Sequence, residues 1–345
     1  MADRPAPVGS ATEMVPGGRG WRRSNGPGRW ITTGVVVVIS IWSAAVAFGP
    51  PTTAGAAASK AASTRTRITP AVFRLAGPKP SPDQQLRVWL LGDSVLHDAS
   101  PALADALAAT GDATVVADST FGGWGLTIQK AWVQDSLQII DAWHPQVVIG
   151  TWSWDDSMAE AQPKAYAALL RRALGVWMTP GDGVELVVLV EFPQVGPNGL
   201  IRAAKARQRW WVQRTTAQDD WNRIARAVAA DFRGHAVYLS TDPVFEPGGR
   251  YFTWVRTTSG SWVRARQVDD THLCPYGVLE LTQLVMSDLE PVLGLSPPGS
   301  AWTTGSWTLD PRLDNGPASC PDDQPPRDYR GLPVPRPAHV PKSGA

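Results

Sequence analysis

Ser94 is the first residue on which a chemistry can be built. It closes the run Val88-Trp89-Leu90-Leu91-Gly92-Asp93-Ser94-Val95, an apolar stretch that stops at a glycine, an acid and a hydroxyl. A serine is a weak nucleophile until a neighbouring base takes its proton, and the base must itself be oriented by a third group. Five histidines are available: His97, His144, His235, His272 and His339. His272 lies in Val268-Asp269-Asp270-Thr271-His272-Leu273-Cys274-Pro275, with Asp269 three residues upstream. A loop can fold such an Asp-x-x-His so that the carboxylate holds the ring nitrogen away from the serine, which fixes the tautomer that accepts the serine proton. His97 competes as the base, one helical turn after Ser94, but Asp98 is adjacent to it in sequence and points elsewhere on a helix. His97 is therefore expected to line the site. His144, at a helix end, and His235, in a loop, read as structural. Glu191, at the end of the fourth strand, is expected to hydrogen-bond within the cleft. No His/Cys/Asp/Glu set has metal-ligand spacing, and no cofactor is implied.

The elements that must position these groups follow from the rhythm of the chain. Apolar runs at 86–92, 113–117, 145–152, 184–192 and 236–241 read as strands, and helical stretches fall near 100–110, 127–143, 158–177, 203–231 and 276–291. Strands alternating with helices predict an α/β fold with a parallel sheet covered on both faces. Ligands in such sheets sit beyond the carboxyl ends of the strands, where Gly92-Asp93-Ser94 falls. A serine there stands near a helix N-terminus, whose free N–H groups favour negative charge. The competing reading makes Asp93 or Ser94 only the cap of a helix starting near Pro101.

Composition bounds the rest. The 345 residues are 43% hydrophobic with a formal net charge of +1, enough for one sizeable core and no footprint for nucleic acid. Residues 1–30 carry Arg4, Arg19, Arg22, Arg23 and Arg29 against Asp3 and Glu13, and are expected to be disordered and cytoplasmic. Residues 31–49 open on 18 uncharged residues, Ile31 to Phe48, the lower end of what spans a bilayer. We read this segment as a single-pass anchor with the catalytic domain outside, the rival being a signal peptide cleaved near Ala45-Val46-Ala47. Trp21-Arg22-Arg23 is a poor twin-arginine match. Residues 50–84 are small, polar and proline-bearing, a flexible linker. The domain is expected over 85–294, followed by a Pro-rich tail, 295–345, lying over it as a strap. Only Cys274 and Cys320 are present, and in an exported protein they should pair.

Gly92-Asp93-Ser94 early in the domain and Asp269-x-x-His272 late in it resemble blocks I and V of the SGNH (GDSL-type) hydrolases. The resemblance covers roughly 86–292. It implies a three-layer α/β/α fold with a five-stranded, flavodoxin-like sheet, and a triad of Ser94 as nucleophile, His272 as base and Asp269 as orienter. It also implies an oxyanion hole from the Ser94 N–H, a block II glycine and a block III asparagine. Block II matches Ser119-Thr120-Phe121-Gly122-Gly123-Trp124-Gly125-Leu126, with Gly123 as the donor and Gly122 and Gly125 as alternatives. Glycine suits that position because no Cβ keeps the backbone N–H from the oxyanion. Block III departs from the pattern, since Gly150-Thr151-Trp152-Ser153-Trp154-Asp155-Asp156 holds no asparagine. The Gly-x-Trp form resembles SGNH domains fused to membrane acyltransferases that modify surface glycans. Its Trp152 indole N–H or the Ser153 hydroxyl would replace the asparagine, unless Trp152 and Trp154 simply pack or form an aromatic wall. Asp93, His97, Trp124 and Trp154 are the expected substrate contacts.

The expectation is thus an exported, membrane-tethered serine esterase or O-acyltransferase. Its substrate is an acylated envelope glycan or glycolipid, with a membrane acyltransferase as a partner. The alternative is a non-catalytic, carbohydrate-binding module of the same fold.

Overall fold

The computed structural model describes Phe73, Leu75 and residues 77–179, 184–196, 214–313 and 316–333. The chain divides into two units, 1–59 and 60–345, and all described residues belong to the second. The expected anchor at 31–49 and most of the linker lie outside them. Among the described residues no helix is long and apolar enough to cross a membrane.

Five strands form the central sheet: β1 (Leu86–Gly92), β2 (Ala113–Thr120), β3 (Val147–Thr151), β4 (Leu186–Val190) and β5 (Ala236–Leu239). They are parallel, in the order β2-β1-β3-β4-β5. Every residue of β3 and β4 is buried, as is all of β1 except Arg87. Such unbroken apolar strands are what a sheet covered on both faces requires. The helices are α1 (Ser94–Ala109), α2 (Trp132–Trp143), α3 (Asp156–Ala161), α4 (Pro163–Trp177), α5 (Arg214–Asp231), the single turn α6 (Asp242–Phe245) and α7 (Pro275–Leu293). α1 packs on α7, while α2 and α5 both pack on α4, so the sheet lies between two helical layers. This is the three-layer α/β/α, flavodoxin-like arrangement. The strand order reverses between β1 and β3, where ligands bind in open sheets of this kind.

The first helix begins at Ser94, not near Pro101, and Pro101 sits inside it. Proline has no N–H to give the carbonyl four residues back, which here is that of His97. The Ser100 hydroxyl donates to that carbonyl at 3.1 Å, so the helix passes through the proline with the carbonyl satisfied. The consequence reaches the site: Ser94, His97 and Asp98 are now three and four residues apart on one helix.

Beyond β5 the chain adds an antiparallel hairpin, β7 (Trp254–Arg256) with β8 (Trp262–Arg264), and a short strand β6 (Arg250–Tyr251) paired with β9 (Leu332–Pro333) of the tail. The tail is fastened at several points. Cys274 and Cys320 are disulfide-bonded, and Arg264 grips Asp323 with two bonds of 2.7 and 2.6 Å. The Tyr329 ring stands edge-on to Phe252, Trp254 and Trp262. Arg312 bonds Asp118 of β2 at 2.7 Å and Ser100 of α1 at 3.0 Å.

Candidate active site

Register places the three loops of the site side by side. Gly92, the last residue of β1, pairs with Thr120 at the end of β2 and Thr151 at the end of β3. Glycine is required at this junction, because a Cβ on Gly92 would stand 2.1 Å from the Thr151 carbonyl oxygen. Asp93 then caps α1, its Oδ1 accepting from the Val95 N–H at 3.1 Å. Its Oδ2 takes the Ser153 N–H at 2.7 Å and the Ser153 hydroxyl at 3.1 Å. Asp93 is 1% exposed and ties the end of β1 to the loop after β3. This corrects the expectation that it touches substrate, since both of its oxygens are turned into the fold.

Ser94, the first residue of α1, is half-buried. Its N–H lies in the first helical turn, where backbone donors have no intrahelical acceptor. The Ser94 Oγ is 2.8 Å from His272 Nε2, and His272 Nδ1 is 2.6 Å from Asp269 Oδ2. The other oxygen, Asp269 Oδ1, accepts the N–H groups of Thr271 and His272, each at 3.0 Å. The turn is closed by Asp270, whose φ of 58° lies in the left-handed region, and by its N–H bond to the Gln267 carbonyl at 2.9 Å. The loop is thereby folded so that one carboxylate holds both the backbone and the ring of the histidine.

The electrostatics of the pair favour a charged imidazole. Burial pushes the His272 pKa down, but the hydrogen bond and charge of Asp269, with lesser help from the charges of Asp98 and Asp93, leave it raised. Burial likewise works against the Asp269 carboxylate, yet the His272 bond and charge and the two N–H donors hold it down at about 2. Asp269 is therefore an anion throughout the neutral range, and an Nδ1–H donating to it leaves Nε2 with its lone pair toward Ser94.

The loop after β2 is a tight turn in which the Trp124 N–H donates to the Phe121 carbonyl at 3.2 Å. Gly123 has a φ of +91°, which glycine adopts without a Cβ penalty. The turn is held to the serine junction by the Phe121 N–H, which donates to the Gly92 carbonyl at 3.1 Å. Trp154 lies against Gly123, its Cε2 3.9 Å from where a Cβ would be. It is half-buried, unlike its neighbours.

Trp152 is elsewhere. It is fully buried, and its indole N–H donates to Asp155 Oδ2 at 2.9 Å and the Tyr166 hydroxyl at 3.1 Å. The ring stands edge-on to Trp124, Trp177 and Trp221. Its one donor is spent inside the core, which corrects the expectation that it completes an oxyanion hole. The Ser153 hydroxyl, its alternative, donates to Asp93. Trp124, 5% exposed and packed on Trp152, is likewise core and not a substrate contact.

Asp155 is the organiser that the sequence did not reveal. Its carboxylate accepts the Leu126 and Thr127 N–H groups, both at 2.8 Å, and the Thr127 and Tyr166 hydroxyls, besides the Trp152 indole. These bonds tie the loop bearing Gly123 to the loop after β3. Burial raises the Asp155 pKa, and the Thr127, Leu126 and Tyr166 bonds offset only part of that rise. A carboxylate three residues from a tryptophan was the available signal.

His97 is half-buried, and its Nδ1 lies 2.8 Å from the Thr120 carbonyl. A carbonyl only accepts, so Nδ1 carries the hydrogen. Glu191 receives the Tyr238 hydroxyl and the Thr241 N–H at the ends of β4 and β5, and is buried. Asp98 does not point away from the site: it is 6% exposed and within the electrostatic reach of His272.

No family model and no curated protein matches the chain. Among solved structures, a GDSL-like lipase from Bacteroides thetaiotaomicron is similar over 62% of this chain and 92% of its own, at 13% identity and a TM-score of 0.40. A carbohydrate esterase family 3 protein from Talaromyces cellulolyticus is similar over 61% and 99%, at 14% identity and a TM-score of 0.35. A peptidoglycan O-acetylesterase is similar over 53% and 48%, at 12% identity and a TM-score of 0.34. These are likenesses of fold between SGNH-type hydrolases and this chain, and the chemistry of the site rests on its own geometry.

Proposed function

We propose that this chain is a serine ester hydrolase of the SGNH type, with Ser94, His272 and Asp269 as its catalytic triad. The observation that carries the reading is the unbroken line Ser94 Oγ–His272 Nε2–His272 Nδ1–Asp269, with steps of 2.8 and 2.6 Å. Ser94 Oγ bonds to the acyl carbon as its proton passes to His272 Nε2. The carbonyl oxygen, now an anion, is held by the Ser94 and Gly123 N–H groups. Collapse breaks the ester C–O bond, and the imidazolium gives its proton to the departing alcohol. Water, deprotonated by His272, then bonds to the acyl carbon; the bond from that carbon to Ser94 Oγ breaks, His272 returns the proton to Ser94 Oγ, and the acid leaves. A sugar hydroxyl in place of water makes the same second step an O-acyl transfer.

The favoured substrate is an acetyl ester of an envelope glycan or glycolipid. Trp154, half-buried beside Gly123, offers a ring face for a sugar, and the disulfide suits an exported, membrane-tethered protein. A membrane acyltransferase is the partner such a site would serve. A fluorophosphonate probe tests the reading. The wild type should label and Ser94→Ala should not; a well-folded wild type that stays unlabelled refutes the enzyme and leaves the binding module. Acetate released from acetylated envelope polymers, compared with acetyl gained by them, separates hydrolysis from transfer.

A further inference from the structure

Asp98 is a buried carboxylate that the triad does not use. It lies on α1 four residues after Ser94, hence one turn along on the same helical face. It is 6% exposed, and its Oδ2 is fully enclosed with no hydrogen-bond partner among the described residues. The backbone N–H of Leu273, the residue after the catalytic histidine, acts on its carboxyl in favour of the charged form. The antiparallel bridge between Arg266 and Leu273 leaves that N–H outside its ladder, because the bridge bonds run through Gln267 N–H to the His272 carbonyl and Cys274 N–H to the Ala265 carbonyl. Asp98 therefore lies on the helix that carries the nucleophile, within the electrostatic reach of the loop that carries the base.

We propose that Asp98, enclosed on the Ser94 helix one turn from the nucleophile, acts on the catalytic base: its charge state sets how strongly His272 holds the serine proton. The proposal rests on the triad reading. Its physical basis is the cost of leaving one oxygen of a buried carboxylate without a partner, which favours the neutral acid. The charged groups that act on Asp98 are His272, Asp93 and Asp269. Burial, above all, raises its pKa to about 7, against the pull of the His272 charge and the Leu273 N–H, while Asp93 and Asp269 add repulsion. In the reverse direction, ionised Asp98 raises the proton affinity of His272. Two groups so placed titrate as a pair, with midpoints belonging to both. Above neutral pH the site holds one more anion and a stronger base; below it, Asp98 becomes neutral and the base weakens.

The test reads the ring itself. In the wild type, the His272 ring resonances and the Asp98 carboxyl carbon are followed by NMR from pH 5 to 9, alongside kcat/KM on a small acetyl ester. Asp98 should titrate within that range and leave a matching inflection in the His272 curve. Asp98→Asn keeps the shape of the side chain and removes the charge, so the His272 midpoint and the acid limb of kcat/KM should both fall by about one pH unit. A folded Asn variant in which both move by less than about 0.2 unit overturns the proposal. If that variant does not fold, an Asp98 carboxyl with no inflection between pH 5 and 9 in the wild type overturns it equally. Fluorophosphonate labelling of Ser94 keeps the two readings apart. Labelling with a His272 midpoint indifferent to Asp98 sinks this inference alone, whereas absent labelling sinks the esterase reading while the NMR titration still decides whether Asp98 governs His272.

Discussion

Two carboxylates in this molecule hold the N–H of a ring three residues away in sequence, and they do different things. Asp269 accepts from the His272 imidazole at 2.6 Å, and Asp155 accepts from the Trp152 indole at 2.9 Å. Both also collect two backbone N–H groups. The first pair is half-open, with side chains 30% and 17% exposed, whereas the second is fully buried. An imidazole has a second nitrogen whose lone pair can take a proton; an indole has only its one donor. The same local motif therefore gives, in the half-open pair, a ring that can take up a proton and, in the core, a fixed joint. Position and ring chemistry, not the spacing, decide the role.

Breaking the open pair should cost the most. Asp269→Asn presents an amide that can donate to Nδ1, which reverses the tautomer and points Nε2–H at Ser94. We expect kcat for an acetyl ester to fall by about 10,000-fold while the fold stays intact. Steady-state kinetics with a thermal melt check this; a fall under tenfold in a folded variant would remove Asp269 from the triad. Breaking the buried pair should act on stability. Asp155→Ala takes the acceptor from the Leu126 and Thr127 N–H groups and the Thr127 and Tyr166 hydroxyls, and leaves the Trp152 indole only Tyr166, at a cost of about 3 kcal/mol or more in denaturant unfolding. An Asp155→Ala protein as stable as the wild type would show that the joint bears no strain.

The open pair also sets a pH signature. His272 must be neutral to accept the serine proton, and the Asp269 bond and charge overcome burial to raise its pKa. The acid limb of kcat/KM should accordingly have its midpoint above the ordinary histidine value of about 6.5. For stability the sign is opposite: the raised pKa stabilises the fold below the unfolded value, and that contribution is lost as pH rises through the folded one. An acid limb below the ordinary value would mean that burial, not Asp269, dominates the imidazole.

The contrast explains what could be read in the sequence. The strands are legible because β3, β4 and, apart from Arg87, β1 are nearly continuous apolar runs, and the Ser94 and Asp269-x-x-His272 stretches because their residue types announce a chemistry. The start of α1 was not, since Pro101 reads as a helix start until the Ser100 hydroxyl is seen satisfying the His97 carbonyl. Nor was the direction of a side chain within a loop. Trp152 and Trp154 are two residues apart and equal as letters, yet one is sealed in the core and the other lies over Gly123. Asp155 and Asp98 were passed over for the same reason, because the burial that gives them their roles is a property of the packed fold.

Trp152→Phe tests the comparison most finely. It keeps an aromatic ring among Trp124, Trp177 and Trp221, deletes the indole N–H shared by Asp155 and Tyr166, and leaves a small cavity where the larger ring was. Asp155 retains its bonds from Leu126, Thr127 and Tyr166, so the lost hydrogen bond and the cavity together should cost about 2–3 kcal/mol in unfolding free energy. Because the deleted donor faces the core, kcat should change by less than about threefold, whereas removal of an oxyanion donor costs about 100-fold or more. A folded Trp152→Phe enzyme that loses 100-fold in kcat at unchanged KM would place the indole at the reacting carbonyl after all. The expected result, a softer protein with unaltered turnover, leaves the oxyanion to the backbone donors of Ser94 and Gly123. The tryptophan at the block III position then holds the loops together instead of touching the substrate.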